Sequence, residues 1–347
     1  MSVAERDRSI DAVRAYAIAG VVGGHWLVTG LVLGPDGVLR QASPLSALPA
    51  WAPLTWLLQT LGLFFFAGGY ATARAPRRAV LPRRLRRPLV ALLGTWALAL
   101  GAGAALDVPT GTLRTIATLV LCPLWFLLPY LGLAAATGPL VRLIDRSGPA
   151  VAATGVCVVA LSDLGLVPAW LAVPAAWSVP WALGVAVARG RLGGARTGRR
   201  LAVAGAAAMA LLIGLLGYPV SAVGVPGAGR SNLDPPSLAA VALAVTQIGV
   251  FLVLRDRLRR TSGTIVALNR AAVPIYLSHQ SVLVVVTAAA ALVSPAVPGL
   301  LTAPDGPAWA LQRLCWLPAL AAALAAVIGF LPAQTCGPRH TRRARAR

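Results

Sequence analysis

Residues 14–25 read Arg-Ala-Tyr-Ala-Ile-Ala-Gly-Val-Val-Gly-Gly-His, an apolar stretch with an ionisable side chain at each end. At about 100° per residue, eleven steps bring Arg14 and His25 to one helix face, about 16 Å apart along the axis. Ionisable groups in hydrocarbon usually face a protein interior or a wet cavity and usually have a function. The structural alternative is that Arg14 reaches back to the lipid headgroups and His25 makes a single interhelical hydrogen bond.

The composition of the chain predicts a helical membrane protein. Hydrophobic residues make up 58% of the 347 residues, charged residues 12%, and the mean hydropathy is +0.76. A soluble domain is about one quarter charged. Apolar runs of roughly 20 residues, the length that spans a bilayer, recur along the sequence. We therefore expect an all-α, polytopic transmembrane bundle in the cytoplasmic (inner) membrane.

The arginines predict the topology of this bundle. All 31 basic residues are arginine, and with the N-terminus in the cytoplasm 26 of them fall in cytoplasmic segments and four at the outer side. This bias follows the positive-inside rule and supports an even number of spans with both termini cytoplasmic. We expect a membrane domain over residues 1–337 and a basic tail over 338–347 that contacts anionic lipid. The ten predicted spans are 10–33, 51–72, 88–106, 115–137, 149–166, 169–188, 201–219, 238–254, 271–293 and 309–331.

Several classes of function are excluded by the same residues. The net charge of +21 lies between the apolar runs rather than on a basic face with aromatic readers, which argues against nucleic-acid binding. The four cysteines are scattered and no His/Cys/carboxylate cluster is present, so no metal site is predicted. No phosphate-binding glycine loop follows a predicted strand. We expect no permanently bound cofactor.

Four further segments carry possible chemistry. An arginine run before the third span is either a topology anchor or a phosphate clamp. Glycines at the end of the second span favour close helix packing. A later pair of aromatic residues is typical of a membrane interface, and a tyrosine and a histidine three apart share one helix face. The arginine run is Arg83-Arg84-Leu-Arg86-Arg87-Pro88, and the glycines belong to the segment Leu61–Tyr70. The aromatic pair lies in Leu124-Trp125-Phe126-Leu127, and the tyrosine and histidine lie in Ile275-Tyr276-Leu277-Ser278-His279.

Together, these segments resemble the acyltransferase-3 family of integral-membrane O-acyltransferases over essentially the whole chain. Asp11-Ala-Val-Arg14 followed by His25 is similar to the family's Asp-x-x-Arg and Arg-x10-His signatures. The segment Leu61–Tyr70 is similar to the family's Phe-Phe-x-Ser-Gly-Tyr element, and the arginine run is similar to its Arg-x-x-Arg element. The aromatic pair and the tyrosine–histidine segment are similar to its Trp-Phe-Leu and Tyr-Leu-x-His elements. Ala67 stands where the family often has serine, which argues against a catalytic hydroxyl there. The arginine match is either Arg84 with Arg87 or, one residue earlier, Arg83 with Arg86.

The resemblance implies transfer of an acyl group, often acetyl, from cytoplasmic acyl-CoA to a hydroxyl of a glycan or related acceptor. Histidine exchanges a proton near neutral pH, so His25 is the candidate base. Arg14 is too far from His25 to stabilise the same oxyanion, so we assign it to donor binding or to a pair with Asp11. Arg84 and Arg87 are candidates for the CoA phosphates, and three residues for the cavity wall or for orienting the imidazole: Trp125, Tyr276 and His279.

Two other classes remain open at this point. A secondary transporter or flippase for a lipid-linked sugar also places His and Arg in its spans, but carboxylates inside the predicted spans are scarce. An inert membrane subunit of a glycan-synthesis complex is the third possibility. Within the enzyme class, the acceptor is a polysaccharide, a glycolipid, an antibiotic or other secondary-metabolite scaffold, or a small osmolyte, and the sequence does not distinguish them.

Overall fold

The computed structural model describes residues 7–74, 81–259 and 262–330 of the chain, and the side chains of these residues other than 81–84 and 330. Within these ranges the chain is almost entirely helical. A two-stranded antiparallel sheet joins β1 (Gly30–Leu33) to β2 (Leu39–Ala42). The α-helices are α1 (Arg8–Val28), α2 (Pro44–Ala47), α3 (Thr55–Leu58), α4 (Leu61–Arg74), α5 (Leu81–Ala105), α6 (Thr110–Leu121), α7 (Leu127–Ser147), α8 (Ala152–Asp163), α9 (Ala172–Ala188), α10 (Ala195–Gly214), α11 (Leu238–Leu254), α12 (Gly263–Arg270), α13 (Ala272–Ala291) and α14 (Pro307–Phe330). Short 3₁₀ helices cover Pro49–Leu54, Cys122–Phe126, Gly148–Val151, Ala169–Leu171 and Arg257–Arg259.

The apolar helices are those of a multi-pass membrane protein. The outer helices expose large apolar side chains, such as Leu98 on α5 and Val203 on α10, as expected for surfaces in contact with lipid. Ten spans and their orientation remain predictions: α11 is a shorter apolar helix of 17 residues, and α1 carries charged residues. In the described ranges, seven helical segments are long and apolar enough to cross a bilayer: Pro49–Arg74, Leu85–Ala105, Thr110–Asp163, Ala169–Ala188, Ala195–Gly214, Ala272–Ala291 and Pro307–Gly329.

The predicted first span is helical over only part of its length. Residues 10–33 are predicted as one helix, but α1 ends at Val28 and Gly30–Leu33 form β1. Glycine 37, with φ +74°, lies in the turn of the resulting hairpin, and Gly30 pairs with Ala42. A short apolar run such as Gly-Leu-Val-Leu is compatible with helix or strand by its period alone. The all-α prediction is corrected by this one hairpin.

Three other predicted spans also differ from the structure in detail. The second span breaks at Gln59 and Thr60 between α3 and α4. The fourth is interrupted by the 3₁₀ helix Cys122–Phe126. The third begins at Leu81 rather than at 88, so the arginine run lies inside α5 and Pro88 lies within a helix. Proline has a low helix propensity because it has no backbone N–H to donate within the helix. In a membrane bundle, packing against neighbouring helices compensates for this lost hydrogen bond.

Helices α4 and α9 form the centre of the bundle. Helix α9 is apolar on all sides and almost completely buried, as expected for a core helix. It approaches α4 so closely that a Cβ atom added at Gly69 would overlap the backbone of Trp181, and one at Gly184 would overlap the carbonyl of Phe66. These glycines confirm the predicted role of the segment Leu61–Tyr70 in helix packing. Small residues at such crossings let two backbones meet in a membrane.

We expect Gly184→Val to destabilise the bundle by about 1–3 kcal/mol, because the added methyl groups must push α9 away from α4. The midpoint of thermal unfolding in detergent should fall by several degrees. Gly132→Val is the matched control, since a Cβ there meets nothing within 4 Å. Equal unfolding temperatures for the two variants would contradict the close packing of α4 and α9.

Candidate active site

A cavity of about 290 Å³ lies between α1, the broken second span, the 3₁₀ helix Cys122–Phe126, α13 and α14. Its walls are mainly aliphatic and aromatic, with tryptophans from three separate elements. Ligand sites in proteins combine such an apolar wall with a few convergent polar groups. The polar side chains that line it are His25, Thr55, Gln59, Tyr276 and Arg313.

The break in the second span forms one wall of this cavity. Backbone carbonyls at the break accept hydrogen bonds from a neighbouring helix. The Gln247 Nε2 group donates to the carbonyls of Trp56 at 3.2 Å and Gln59 at 3.0 Å. The Thr60 hydroxyl donates to the carbonyl of Ala17 at 2.8 Å. Non-helical backbone is tolerated at membrane depth where protein or a cavity surrounds it. The break therefore widens the space beside α1 while its hydrogen bonds remain satisfied.

Glycines on α1 let this wall come close to His25. A Cβ atom added at Gly20 would lie 2.5 Å from the Thr60 hydroxyl oxygen and 3.1 Å from the carbonyl of Leu58. Gly24, one turn further along, also lines the cavity and faces Leu58. Gly20 and Gly24 therefore let the broken second span pack closely against α1 beside the imidazole.

His25 on α1 is paired with His279 on α13. His25 Nδ1 lies 2.7 Å from His279 Nε2, and the two ring planes are inclined by only 18°, with centroids 5.0 Å apart. His279 Nδ1 lies 2.7 Å from the carbonyl oxygen of Tyr276. A third contact holds the backbone here, because the Trp26 indole donates to the His279 carbonyl at 3.0 Å. The structure therefore brings together two histidines that are 254 residues apart in the sequence.

This chain of contacts assigns the protons on both rings. The Tyr276 carbonyl can only accept, so His279 Nδ1 carries a hydrogen and, in the neutral ring, His279 Nε2 is an acceptor. His25 Nδ1 must then donate to it, which leaves His25 Nε2 without a hydrogen. His25 lines the cavity and is only half-buried, whereas His279 is fully buried. The pair therefore presents one proton-accepting nitrogen to a ligand in the cavity.

A family model described as an acyltransferase domain matches residues 7–335. The chain belongs to the acyltransferase-3 family. No match is found among curated proteins or among solved structures. This is the family that the sequence motifs resemble.

The aromatic residues predicted for the cavity wall of this acyltransferase line the cavity in the structure. Trp125 is 38% exposed and contributes part of the wall, with its ring 6.5 Å from that of Trp177. Tyr276 also lines it, but the group that orients His279 is the backbone carbonyl of Tyr276 and not its side chain. The Tyr276 hydroxyl is buried and has no hydrogen-bond partner within the described part of the chain. It is a donor available to a substrate oxygen.

Arg14 lies on the same continuous helix as His25, as predicted, and does not line the cavity. It is half-buried, and its guanidinium is close enough to the Tyr130 hydroxyl to interact electrostatically. The ion pairs among residues 7–74, 81–259 and 262–330 do not include one between Asp11 and Arg14. Asp11 is buried, and its carbonyl accepts a hydrogen bond from Asn269 at 2.7 Å. Among the described residues, no ion pair engages the Arg14 guanidinium, which lies on the predicted cytoplasmic side of His25.

The arginine run does not reach the cavity as far as the structure describes it. Arg86 and Arg87 are exposed near the beginning of α5, and neither lines the cavity. The side chains of Arg83 and Arg84 lie outside the described part of the chain. Their assignment to the CoA phosphates, and the choice between the two alignments, remain predictions.

A network at the beginning of α1 has no counterpart in the sequence analysis. Asp7 caps the helix by accepting from the Ser9 amide at 3.0 Å and pairs with Arg255 at 2.6 Å. The Tyr70 hydroxyl donates to Asp7 at 3.0 Å and accepts from Arg74 at 3.2 Å. The tyrosine that ends the segment Leu61–Tyr70 therefore anchors α1. An aspartate directly before a helix is a recognisable capping signal, but its distant partners are not.

We expect Asp7→Asn to lower the unfolding temperature at neutral pH. Burial raises the pKa of Asp7, but hydrogen bonds from Ser9 and Arg255 outweigh it and lower the pKa from 3.8 to about 2. A depressed carboxyl pKa stabilises the folded state fully above the unfolded value and loses that effect as pH falls through the folded one. The difference between wild type and variant should be constant from pH 7 to about 5 and decline between about 4 and 2.

The control for this titration is Asp256→Asn. Asp256 is 92% exposed and pairs with Arg259 on the surface, so its loss should change the unfolding temperature little at any pH. A pH-independent difference for Asp7→Asn would show that its carboxylate charge contributes nothing.

Proposed function

We propose that this acyltransferase transfers an acyl group from acyl-CoA to a hydroxyl of an acceptor bound in the cavity, with His25 as general base. The observation that supports it is the chain of hydrogen bonds from the Tyr276 carbonyl through His279 to His25. This chain leaves His25 Nε2 as a proton acceptor at the cavity. An alcohol is a weak nucleophile until a base removes its proton during attack. The hydrogen bond to His279 holds the His25 imidazole in the tautomer that can accept the proton of the alcohol.

The proposed reaction uses His25 twice. Its Nε2 takes the proton of the acceptor hydroxyl as the oxygen attacks the thioester carbonyl carbon. The tetrahedral intermediate then collapses, the carbon–sulfur bond breaks, and the CoA sulfur leaves with the proton that His25 returns. The products are an ester and free CoA, and His25 is neutral again. The unpartnered Tyr276 hydroxyl is the donor we assign to the carbonyl oxygen during this step.

The donor and the acceptor approach from opposite sides in this scheme. Arg14 lies eleven residues before His25 on α1, about 16 Å along the helix axis, on the predicted cytoplasmic side. We assign it to the phosphopantetheine arm of an acyl-CoA, acetyl-CoA being the first donor to test. Arg84 and Arg87 are the candidates for the CoA phosphates. The acceptor is a glycan or a related hydroxyl compound at the outer side of the inner membrane.

The test is release of free CoA by the purified protein in detergent. We expect thiol release from acetyl-CoA to rise when a hydroxyl acceptor from a glycan panel is added, and mass spectrometry to find the acyl group on that acceptor. A protein that binds the lipid-linked sugar but releases no thiol with any donor or acceptor would instead support a carrier or an inert subunit.

Arg14→Gln should raise the KM for acetyl-CoA by about tenfold or more, because a charge-assisted contact to the donor is lost. The kcat should change much less, since Arg14 is about three helical turns from the base. Initial rates over a range of donor concentrations give both constants. Arg114→Gln, an exposed arginine, is the matched control. An unchanged KM for Arg14→Gln would place Arg14 outside the donor site.

A further inference from the structure

Arg313 on α14 is a fully buried arginine at the cavity wall. One Nη2 hydrogen bond goes to the carbonyl of Thr29, and the guanidinium lies over the ring of Trp309 with its central carbon 5.1 Å from the centroid. The Nε and Nη1 atoms are buried and have no hydrogen-bond partner within the described part of the chain. In the same residues no carboxylate pairs with it.

This arrangement leaves a permanent positive charge without a counter-ion among the described residues. Arginine keeps its proton in proteins, and a buried charge is strongly unfavourable unless an opposite charge and hydrogen bonds compensate it. One carbonyl and one aromatic face supply only part of that compensation. Nε and Nη1 lie on opposite edges of the planar guanidinium, and each shares its edge with one hydrogen of Nη2. Because Thr29 takes only one of the two Nη2 hydrogens, one complete edge is left to match the two oxygens of a carboxylate or a phosphate.

The position of Arg313 relates it to the candidate base. Its anchor, Thr29, caps α1 and donates its amide to the carbonyl of His25 at 3.0 Å. The guanidinium is therefore held about one helical turn beyond His25, on the side of the cavity away from Arg14. A single ligand can place a hydroxyl at His25 and an anionic group at Arg313.

We propose that Arg313 forms a subsite for an anionic group of the acceptor, so that this enzyme selects a hydroxyl compound carrying a carboxylate or a phosphate. The apolar wall around Trp309 and Leu314 receives the uncharged part of that compound. The anion neutralises the buried guanidinium and fixes the distance between its own position and the reacting hydroxyl. This inference rests on the proposed function only in naming the ligand an acceptor.

The test compares charged and uncharged probes by thermal shift of the purified protein in detergent, with no donor present. One arm uses methyl glucuronide against methyl glucoside, and the other uses dihexanoyl phosphatidylglycerol against dihexanoylglycerol. The variant is Arg313→Gln, which removes the charge, with Arg313→Lys as the second variant. Arg114→Gln removes an exposed arginine and is the control.

We expect the charged member of one arm to bind wild type and Arg114→Gln at least tenfold more tightly than its uncharged partner. Arg313→Gln should lose this preference, and Arg313→Lys should retain part of it, because a lysine keeps the charge without the fork. The responding arm identifies a carboxylated glycan or a phospholipid headgroup as the source of the anion.

Equal binding of both members in both arms by wild type would overturn the subsite, and so would a charge preference that survives in Arg313→Gln. Because binding is measured without donor, the result is independent of acyl transfer. If charge-selective binding is found in a protein that releases no CoA, the subsite stands and the proposed reaction fails.

Discussion

Replacing His25 with alanine should lower the rate of acyl transfer by about 10²–10⁴-fold, the range that a positioned general base contributes. The variant loses the only proton acceptor that the histidine pair presents to the cavity. Its fold should be retained, because His25 is half-buried beside a cavity and its side chain makes one hydrogen bond, to His279. CoA release and acylated acceptor are measured side by side with the unfolding temperature.

Gly23→Ala is the control for changes on the same helix. A Cβ atom at Gly23 meets nothing within 4 Å, and Gly23 does not line the cavity. This variant should transfer at the wild-type rate. A His25→Ala protein that unfolds normally and also transfers at the wild-type rate would remove His25 from the mechanism.

Replacing His279 with alanine should lower kcat by about 10–100-fold, the scale expected when an orienting partner of a functional histidine is lost. His279 acts through His25 and is a positioning residue, because it is fully buried and does not line the cavity. Without its Nε2 acceptor, His25 Nδ1 no longer has to carry the hydrogen, and Nε2 is protonated in part of the molecules. The KM for the donor should stay close to the wild-type value.

Rescue by a conservative change separates orientation from packing. In His279→Gln the side-chain oxygen can accept the hydrogen of His25 Nδ1, so this variant should recover much of the lost kcat. Its pH–rate profile should resemble that of wild type, whereas that of His279→Ala should be shifted. If glutamine and alanine lower kcat equally while both proteins fold, the hydrogen bond between the two histidines has no role in the rate.

The sequence predicts the apolar helices well where they are regular. Residues 238–254 are predicted as a span and form α11, and 271–293 differ from α13 by one residue at one end and two at the other. The break at Gln59 and Thr60 is not predictable from composition, because no proline or glycine lies at it. It depends on donors from Gln247, 188 residues away. Local patterns do not contain such partners.

The site is predicted in its residue types and only partly in its contacts. His25 is predicted from its motif as the base, and Tyr276 and His279 are predicted from theirs as wall or orienting residues. From the sequence, Arg313 is one of four arginines predicted at the outer side of the membrane, and no role is predicted for it. Its significance depends on burial and on two unpartnered atoms, and both arise from the packing of α14 against α1 and the hairpin.

The separation of the two histidines has a consequence for biosynthesis. His25 lies on α1, which leaves the ribosome before α13, whereas His279 is synthesised 254 residues later. Until α13 is in place, the imidazole on α1 has no partner to select its tautomer, and the cavity lacks two of its walls, α13 and α14. We expect a nascent or truncated chain to leave thioesters intact. Reactivity would then begin only when the late helices pack against the first one.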